Sequence, residues 1–207
     1  MKEAIQERAH RCGVELDDVA IELIAHHAAE VLVHNERLKL TTIVDPDEFV
    51  ERHIGESLEG AAMLRSDASG DLLDLGSGNG YPALPIAATY PKLRPILVEA
   101  AQDKAAFLRE HVGDGEVIDR QVQRLSDLEG IDSVRVITTR AMGNWERILP
   151  RIAPILHPDG VLLLWAGPSV AEIAEREAWS RYALVGRHLL PGRRQSWIWA
   201  FKTNRDA

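Results

Sequence analysis

Leu72-Leu73-Asp74-Leu75-Gly76-Ser77-Gly78-Asn79-Gly80 is an apolar run that ends in an acid and enters a turn with glycine at every second position. Glycines so spaced let the backbone take positive φ and approach a ligand without side-chain obstruction. Pro82 then opens a helix whose first turn offers free N–H groups and a positive dipole end. The competing reading is a tight strand-to-helix connection that holds nothing. Spacing narrows the ligand. A dinucleotide fingerprint places its third glycine three residues after the second, where this chain has Tyr81, and the third glycine comes early at Gly80. No Gly-Lys-Ser/Thr follows, so a phosphate-cradling NTPase loop is excluded. An acid ahead of G-x-G-x-G, with a second acid closing the next strand, is the pattern of S-adenosylmethionine sites. Glu99 supplies the second acid at the end of Arg94-Pro95-Ile96-Leu97-Val98-Glu99, where a carboxylate can accept both ribose hydroxyls. Without the glycine turn, Glu99 would read as a solvated strand end.

The elements that must hold these residues follow from periodicity. Ile24, Ala28, Val31 and Leu32 recur at helical spacing, which predicts a helix over residues 17–36 capped by Asp17 or Asp18. A second helix starts at Asp45-Pro46, an N-cap followed by a first-turn proline, and runs through Phe49, Val50, His53 and Leu58. Residues 1–65 are thus a helical lead-in, and residues 66–207 form the core, with Ser66 to Gly70 marking the break. Beyond it strands at 71–75, 94–99, 115–119, 134–138 and 160–165 alternate with helices at 82–90, 101–112, 144–155 and 168–178. That alternation predicts an α/β fold, a doubly wound Rossmann-like parallel sheet covered on both faces. The last two strands, 182–190 and 195–202, are joined by Pro191-Gly192-Arg193-Arg194, short enough for a hairpin that leaves the final strand antiparallel. The ligand belongs beyond the strand C-termini at the topological switch point, where the glycine turn and Glu99 both fall.

Composition agrees with one enzyme-sized unit: 207 residues with 45% hydrophobic content bury a substantial core. No apolar run approaches the roughly 20 residues of a membrane span. Glu3, Glu7 and Arg8 lie in a helical pattern unlike a signal peptide, so the expected location is the cytoplasm. A lone Cys12 and eight histidines without ligand spacing give no metal site, and His26, His27 and His34 share a helix. A net charge of −8 argues against indiscriminate nucleic-acid binding and leaves room for a local patch. Arg187, Arg193 and Arg194 gather near the C-terminus, and Arg147 and Arg151 stand one helical turn apart. Each group reads equally as a solvated face.

Several blocks in order resemble one family. Leu40-Thr41-Thr42-Ile43 with Asp45-Pro46, Glu51-Arg52-His53-Ile54 and Ser57 resembles the N-terminal signature of the bacterial small-subunit rRNA methyltransferase G family, also called glucose-inhibited division protein B. Asp74 to Pro82 with Leu84-Pro85-Ile86 resembles its motif of glycines followed by two prolines. Phe107-Leu108-Arg109, Thr139-Arg140-Ala141, and Gly192 with Arg194 match later blocks, so the likeness spans almost the whole chain. It implies a class I S-adenosylmethionine-dependent methyltransferase acting on guanine N7 in 16S rRNA of the 30S subunit; the sequence does not give the oligomeric state, and a monomer is favoured. By position, Asp74, Gly76, Ser77, Gly78, Gly80, Tyr81 and Glu99 surround the cofactor, Val122 and Gln123 approach its adenine, and Arg140 lies beside the site. Arg193 and Arg194 become candidates for RNA contacts.

Guanine N7 carries a free lone pair and the sulfonium activates the methyl group, so no general base is needed and catalysis reduces to alignment. Arg140, His53 and Glu56 are therefore positioning candidates; His53 reads equally as a packed helix histidine, and Arg140 equally as half of a structural salt bridge. The chain departs from the family at His34, Lys39, Glu56 and Ala83, and the family lysines near the RNA face are replaced by Asp103 and Ala166. Those departures leave open a diverged methyltransferase acting on another RNA or a small molecule. They also leave open a non-catalytic cofactor-binding protein presenting Trp145, Trp165, Trp197 and Trp199 to a partner.

Overall fold

The computed structural model describes residues 1–204. Helix α1 (Lys2–Cys12) stops where Gly13 takes φ 70. Helix α2 (Asp18–Leu38) starts where the Asp17 carboxylate accepts the Ala20 N–H at 2.7 Å. Asp45 caps the next helix in the same way, accepting the Glu48 N–H at 2.8 Å, with Pro46 at its first position. That helix is continuous but not uniform: α3 (Pro46–Phe49) passes through a π-helical stretch, Val50–Gly55, into α4 (Glu56–Ala61). A π turn inserts an extra residue per turn and commonly marks a functional site.

The core alternates β1 (Gly70–Leu75), α5 (Ala83–Thr89), β2 (Leu93–Val98), α6 (Gln102–Arg109), β3 (Glu116–Ile118), β4 (Val134–Arg140), α7 (Trp145–Ile152), β5 (Leu156–Ala166) and α8 (Val170–Ala174). It closes with the hairpin β6 (Tyr182–Leu189) and β7 (Trp197–Thr203). The seven strands lie in the order β3-β2-β1-β4-β5-β7-β6; β1 to β5 are parallel, and β7 is antiparallel to both neighbours. Strand order reverses between β1 and β4, so their C-terminal ends open the switch-point crevice.

Side chains alternate between two apolar layers with the strand period of two. Leu72, Leu163 and Ile198 join one layer with Ile5, Ile24, Phe49 and Leu58 of the lead-in. Leu73, Leu162 and Trp199 face the other, against Ile148 and Leu149 of α7. The lead-in helices are thereby fixed to the sheet face that carries the glycine turn's helix, α5.

Three expected boundaries move. Strand β5 begins at Leu156 rather than 160, but its pairing with β4 jumps from Val134↔Leu156 to Val136↔Val161, because Pro158 lacks a ladder donor and the intervening residues bulge out. The expected helix over 168–178 shrinks to α8 and a short 3₁₀ turn, Glu177–Trp179. Trp179 must turn inward there: its ring is buried and its Nε1–H donates to the Glu146 carbonyl at 3.0 Å. The final hairpin is joined by residues 190–196 instead of a four-residue turn, with Gly192 at φ 69 and the Leu190 N–H donating to the Ser196 carbonyl at 3.0 Å.

Candidate active site

The turn after β1 is built by hydrogen bonds to β2. The N–H groups of Gly76 and Ser77 both donate to the Val98 carbonyl at 2.9 Å. Glu99 then clamps the turn: one carboxylate oxygen accepts the Gly78 N–H and the other the Ala101 N–H, each at 2.8 Å. Each oxygen keeps acceptor capacity for a ligand hydroxyl.

The three glycines have different tasks. Gly76 and Gly78 hold φ 71 and 55 and line the cleft. A Cβ on Gly78 would meet nothing nearer than the Gly76 carbonyl oxygen at 3.8 Å, so it would project into open cleft. Gly80, expected to touch the cofactor, faces inward: its Cβ would lie 2.7 Å from Leu84 Cδ1 and 2.9 Å from His27 Nε2. It lets α2 approach the turn, where His27 Nε2 meets the Asn79 carbonyl at 2.7 Å. Burial drives the His27 pKa down to about 3, so the ring stays neutral and Nε2–H donates.

Asp74 is likewise placed beneath the turn and does not line the cleft. It is 1% exposed, and one oxygen accepts the Thr138 hydroxyl at 2.7 Å while the other has no partner among the described residues. Burial raises its pKa to about 6, against the lowering effect of the Thr138 and Ser77 hydroxyls. Ser77 is buried as well, its hydroxyl donating to the Asp74 carbonyl at 3.1 Å.

Two lobes meet at Gly76, Glu99, Met142 and Gly143. The smaller, about 480 Å³, is walled by Leu75, Val98, Val122 and Ile148, with Gln123 at its edge, and suits a flat base. The larger, about 750 Å³, is lined by Thr41, His53, Glu56, Tyr81, Arg140 and Trp165 among others. Here the lead-in supplies one wall and the sheet the other. The π turn carries His53 and the Arg52 carbonyl to the end of β4, where Arg140 donates to His53 Nδ1 at 2.8 Å and to the Arg52 carbonyl at 3.3 Å.

A guanidinium only donates, so His53 Nδ1 is the acceptor and Nε2 carries the hydrogen, which goes to the Thr41 hydroxyl oxygen at 2.7 Å. Burial and the neighbouring Arg140 charge hold the His53 pKa at about 3. Glu56 joins three arginines: Arg193 donates to it at 2.9 and 3.0 Å, Arg140 stands 3.8 Å away and Arg52 3.9 Å. Arg193, expected to contact RNA, is thus committed to closing the cleft wall through Glu56, whereas Arg194 is exposed. Tyr81 packs its ring against His27, Phe49 and His53, and burial raises its hydroxyl pKa.

Sequence reasoning assigned no role to Thr41, Arg52, Met142 or Lys104, which complete the walls. The tryptophans do not form an exposed surface: Trp165 and Trp199 are buried, Trp197 is half-buried and tilted against Trp199 beneath the Arg187 guanidinium, and half-buried Trp145 packs edge-on against Trp179. No cluster of three metal-ligating side chains occurs among the described residues, and no described helix is long and apolar enough to cross a membrane.

Residues 20–185 match the family described as rRNA small subunit methyltransferase G. The chain belongs to that family. Among its relatives are ribosomal RNA small subunit methyltransferase G of Sorangium cellulosum, 34% identical over 86% of this chain and 77% of the relative, and that of Roseiflexus sp., 33% identical over 86% and 79%. The fold is shared with the precorrin-6y C5,15-methyltransferase of Geobacter metallireducens at TM-score 0.55 and 13% identity, covering 72% of this chain and 87% of the other. A ribosomal protein L11 methylase of Lactobacillus delbrueckii aligns at TM-score 0.57 and 13% identity over 73% and 80%. This member of the G family is an S-adenosylmethionine-dependent methyltransferase with a class I fold. Its turn fits that cofactor on two counts: the space a Gly78 Cβ would fill and the spare acceptor capacity of Glu99.

Glu99→Ala removes both the turn clamp and the hydroxyl acceptor, and is expected to weaken cofactor binding by about 1–3 kcal/mol; an unchanged dissociation constant in titration calorimetry would remove the assignment. The depressed histidines also set an acid limit. His27 and His53 fall from 6.5 to about 3 on folding, so the unfolded chain binds more protons between those values and stability drops as pH falls through that window. Asp74, raised from 3.8 to about 6, tilts the other way between those values with one proton against two. Denaturant unfolding at pH 7 and pH 4.5 should therefore show lower stability in acid; a gain would contradict the neutral-histidine assignment.

Proposed function

We propose that the enzyme methylates N7 of one guanine in 16S rRNA within the small ribosomal subunit. The observation that carries this reading is the absence, among the described residues lining the cleft, of a group free to act as a base. His53 has both nitrogens engaged, Glu56 is held by arginines, Glu99 is bound to two backbone N–H groups and the Tyr81 hydroxyl is buried. An acceptor that must lose a proton before attack is poorly served here. Guanine N7 is an unprotonated lone pair and needs only alignment. S-adenosylmethionine supplies a methyl group already activated on its sulfonium. Gly76, Gly78 and Glu99 would hold it along the turn, with Val122 and Gln123 beside its base, while Arg140, His53 and Tyr81 fix the wall where the acceptor enters.

Charge supports a nucleic-acid acceptor. Arg120, Arg147 and Arg151 rim the smaller lobe, all exposed and without an ion pair among the described residues, in a chain of net charge −8. The charge replaced at Asp103 stands one residue further on, at Lys104, which lines the larger lobe. Cations that line the mouth of a site for a cationic cofactor suit a phosphate backbone. Replacing Arg147 and Arg151 together by alanine is expected to lower the slope of log affinity for 16S rRNA against log salt by about 1.5–2. An unaltered slope would take the rim out of the interface.

The deciding experiment is methyl transfer to 30S particles, naked 16S rRNA and a small-molecule panel, with the product mapped. A single N7-methylguanine in 16S rRNA is the expected result. Transfer to another RNA or to a metabolite alone would replace the reading, and cofactor binding without transfer to any of them would establish a non-catalytic protein.

A further inference from the structure

Thr41 occupies the larger lobe with its hydrogen-bonding polarity already fixed. Its oxygen takes the His53 Nε2–H at 2.7 Å and the Ile43 N–H at 3.0 Å. A hydroxyl has two lone pairs and one hydrogen, so both acceptor positions are spent and the O–H is left to donate. The polarity is set from behind. His53 is forced into its Nε2–H tautomer by Arg140, whose guanidinium faces Nδ1 and can only donate. Arg140 is in turn anchored on the Arg52 carbonyl and beside Glu56. The chain Arg140 to His53 to Thr41 thus ends in the cleft as a donor that cannot switch to an acceptor.

Purines differ at this point of their edge. Guanine presents two adjacent acceptors, N7 and O6, whereas adenine presents N7 beside an N6 amino donor. We infer that the Thr41 hydroxyl donates to the 6-oxygen of the target base and makes the site select guanine over adenine. Adenine would set its amino donor against a hydroxyl with no free lone pair, leaving both groups unpaired in the cleft. A site built around a required hydrogen bond rejects the analogue that cannot make it more strongly than an apolar pocket rejects an extra atom. His53 and Arg140 are positioning residues in this arrangement; Thr41 is the group that touches the base. The inference rests on guanine N7 as the methyl acceptor.

The test compares wild type, Thr41→Val and Thr41→Ser on 30S particles assembled from ligated 16S rRNA carrying guanine or 2-aminopurine at the mapped position. 2-Aminopurine keeps N7 and replaces the 6-oxygen with hydrogen. Its intrinsic N7 reactivity enters every enzyme equally and cancels in the double cycle. Thr41→Val is expected to lower kcat/KM on guanine about 10- to 100-fold and to cause little further loss on 2-aminopurine. Thr41→Ser should retain the preference, and cofactor affinity should be the same in all three proteins. Equal losses for Thr41→Val on both bases would show a purely structural threonine and overturn the inference. A wild-type enzyme that methylates no guanine N7 would overturn the parent reading instead, which separates the two failures.

Discussion

Gly78→Val is expected to abolish S-adenosylmethionine binding while leaving the protein folded. Gly78 sits at φ 55, a conformation that a β-branched residue adopts only with strain, so the substitution costs stability of about 1–2 kcal/mol. The effect on the ligand is larger. The added Cβ has no protein atom to displace, since its nearest neighbour is a carbonyl oxygen 3.8 Å away, and the side chain therefore starts into the space along which a cofactor is expected to run. A rise in dissociation constant of about 100-fold or more, close to 3 kcal/mol, should appear in calorimetry. Circular dichroism should show a retained fold. Retained affinity would mean that the turn is a connection and nothing else.

Arg140→Leu has the second largest expected effect, and acts on stability and activity together. The guanidinium is partly buried at the end of β4 and serves His53, the Arg52 carbonyl and the neighbourhood of Glu56. Its own pKa is lowered by burial, with Glu56 and Asp74 opposing that loss. Leucine would leave those acceptors without a donor and Glu56 with a weaker cationic shell. Removing one member of such a linked, largely enclosed set costs about 3 kcal/mol, which for a chain of this size lowers Tm by about 6–12 °C. Methyl transfer should be lost even below the new Tm, because the His53 tautomer and the Thr41 polarity are no longer imposed. An Arg140→Leu enzyme with wild-type turnover would remove Arg140 from the positioning machinery. Arg140→Lys, which keeps charge but loses the fork, should fall between the two.

Sequence legibility divides along contact range. The glycine turn, Glu99, the caps at Asp17 and Asp45 and the alternation of strands and helices depend on residues near one another in the chain, and the structure has each of them in place. Roles decided by distant partners were not readable. Spacing marks three glycines, but that Gly80 accommodates α2 while Gly76 and Gly78 line the open cleft depends on His27, which arrives from the lead-in. Arg193 and Arg194 are neighbours with the same charge. Their tasks differ because Glu56, 137 residues from Arg193 in sequence, claims one of them.

The π turn is the clearest case of a local feature without a local signal. Val50 to Gly55 fits the helical pattern of its surroundings, yet the wider turn is what presents the Arg52 carbonyl and His53 to Arg140. Trp179 shows the opposite error. A helical pattern over 168–178 yields to tertiary packing, since the ring gains more by burial against Tyr182 and Phe201 than the backbone gains by continuing the helix. The departures at Asp103 and Ala166 suggested a weakened RNA face; Lys104 in the larger lobe and Arg120, Arg147 and Arg151 around the smaller one place positive charge at positions that no motif marks.

The proposed methyl-donor site is the cleft formed by the glycine turn, Glu99 and the lead-in wall. Titration calorimetry of the full chain with S-adenosylmethionine tests it most directly. The predicted result is saturable one-to-one binding that weakens in Glu99→Ala and vanishes in Gly78→Val; no heat of binding at millimolar cofactor would contradict it.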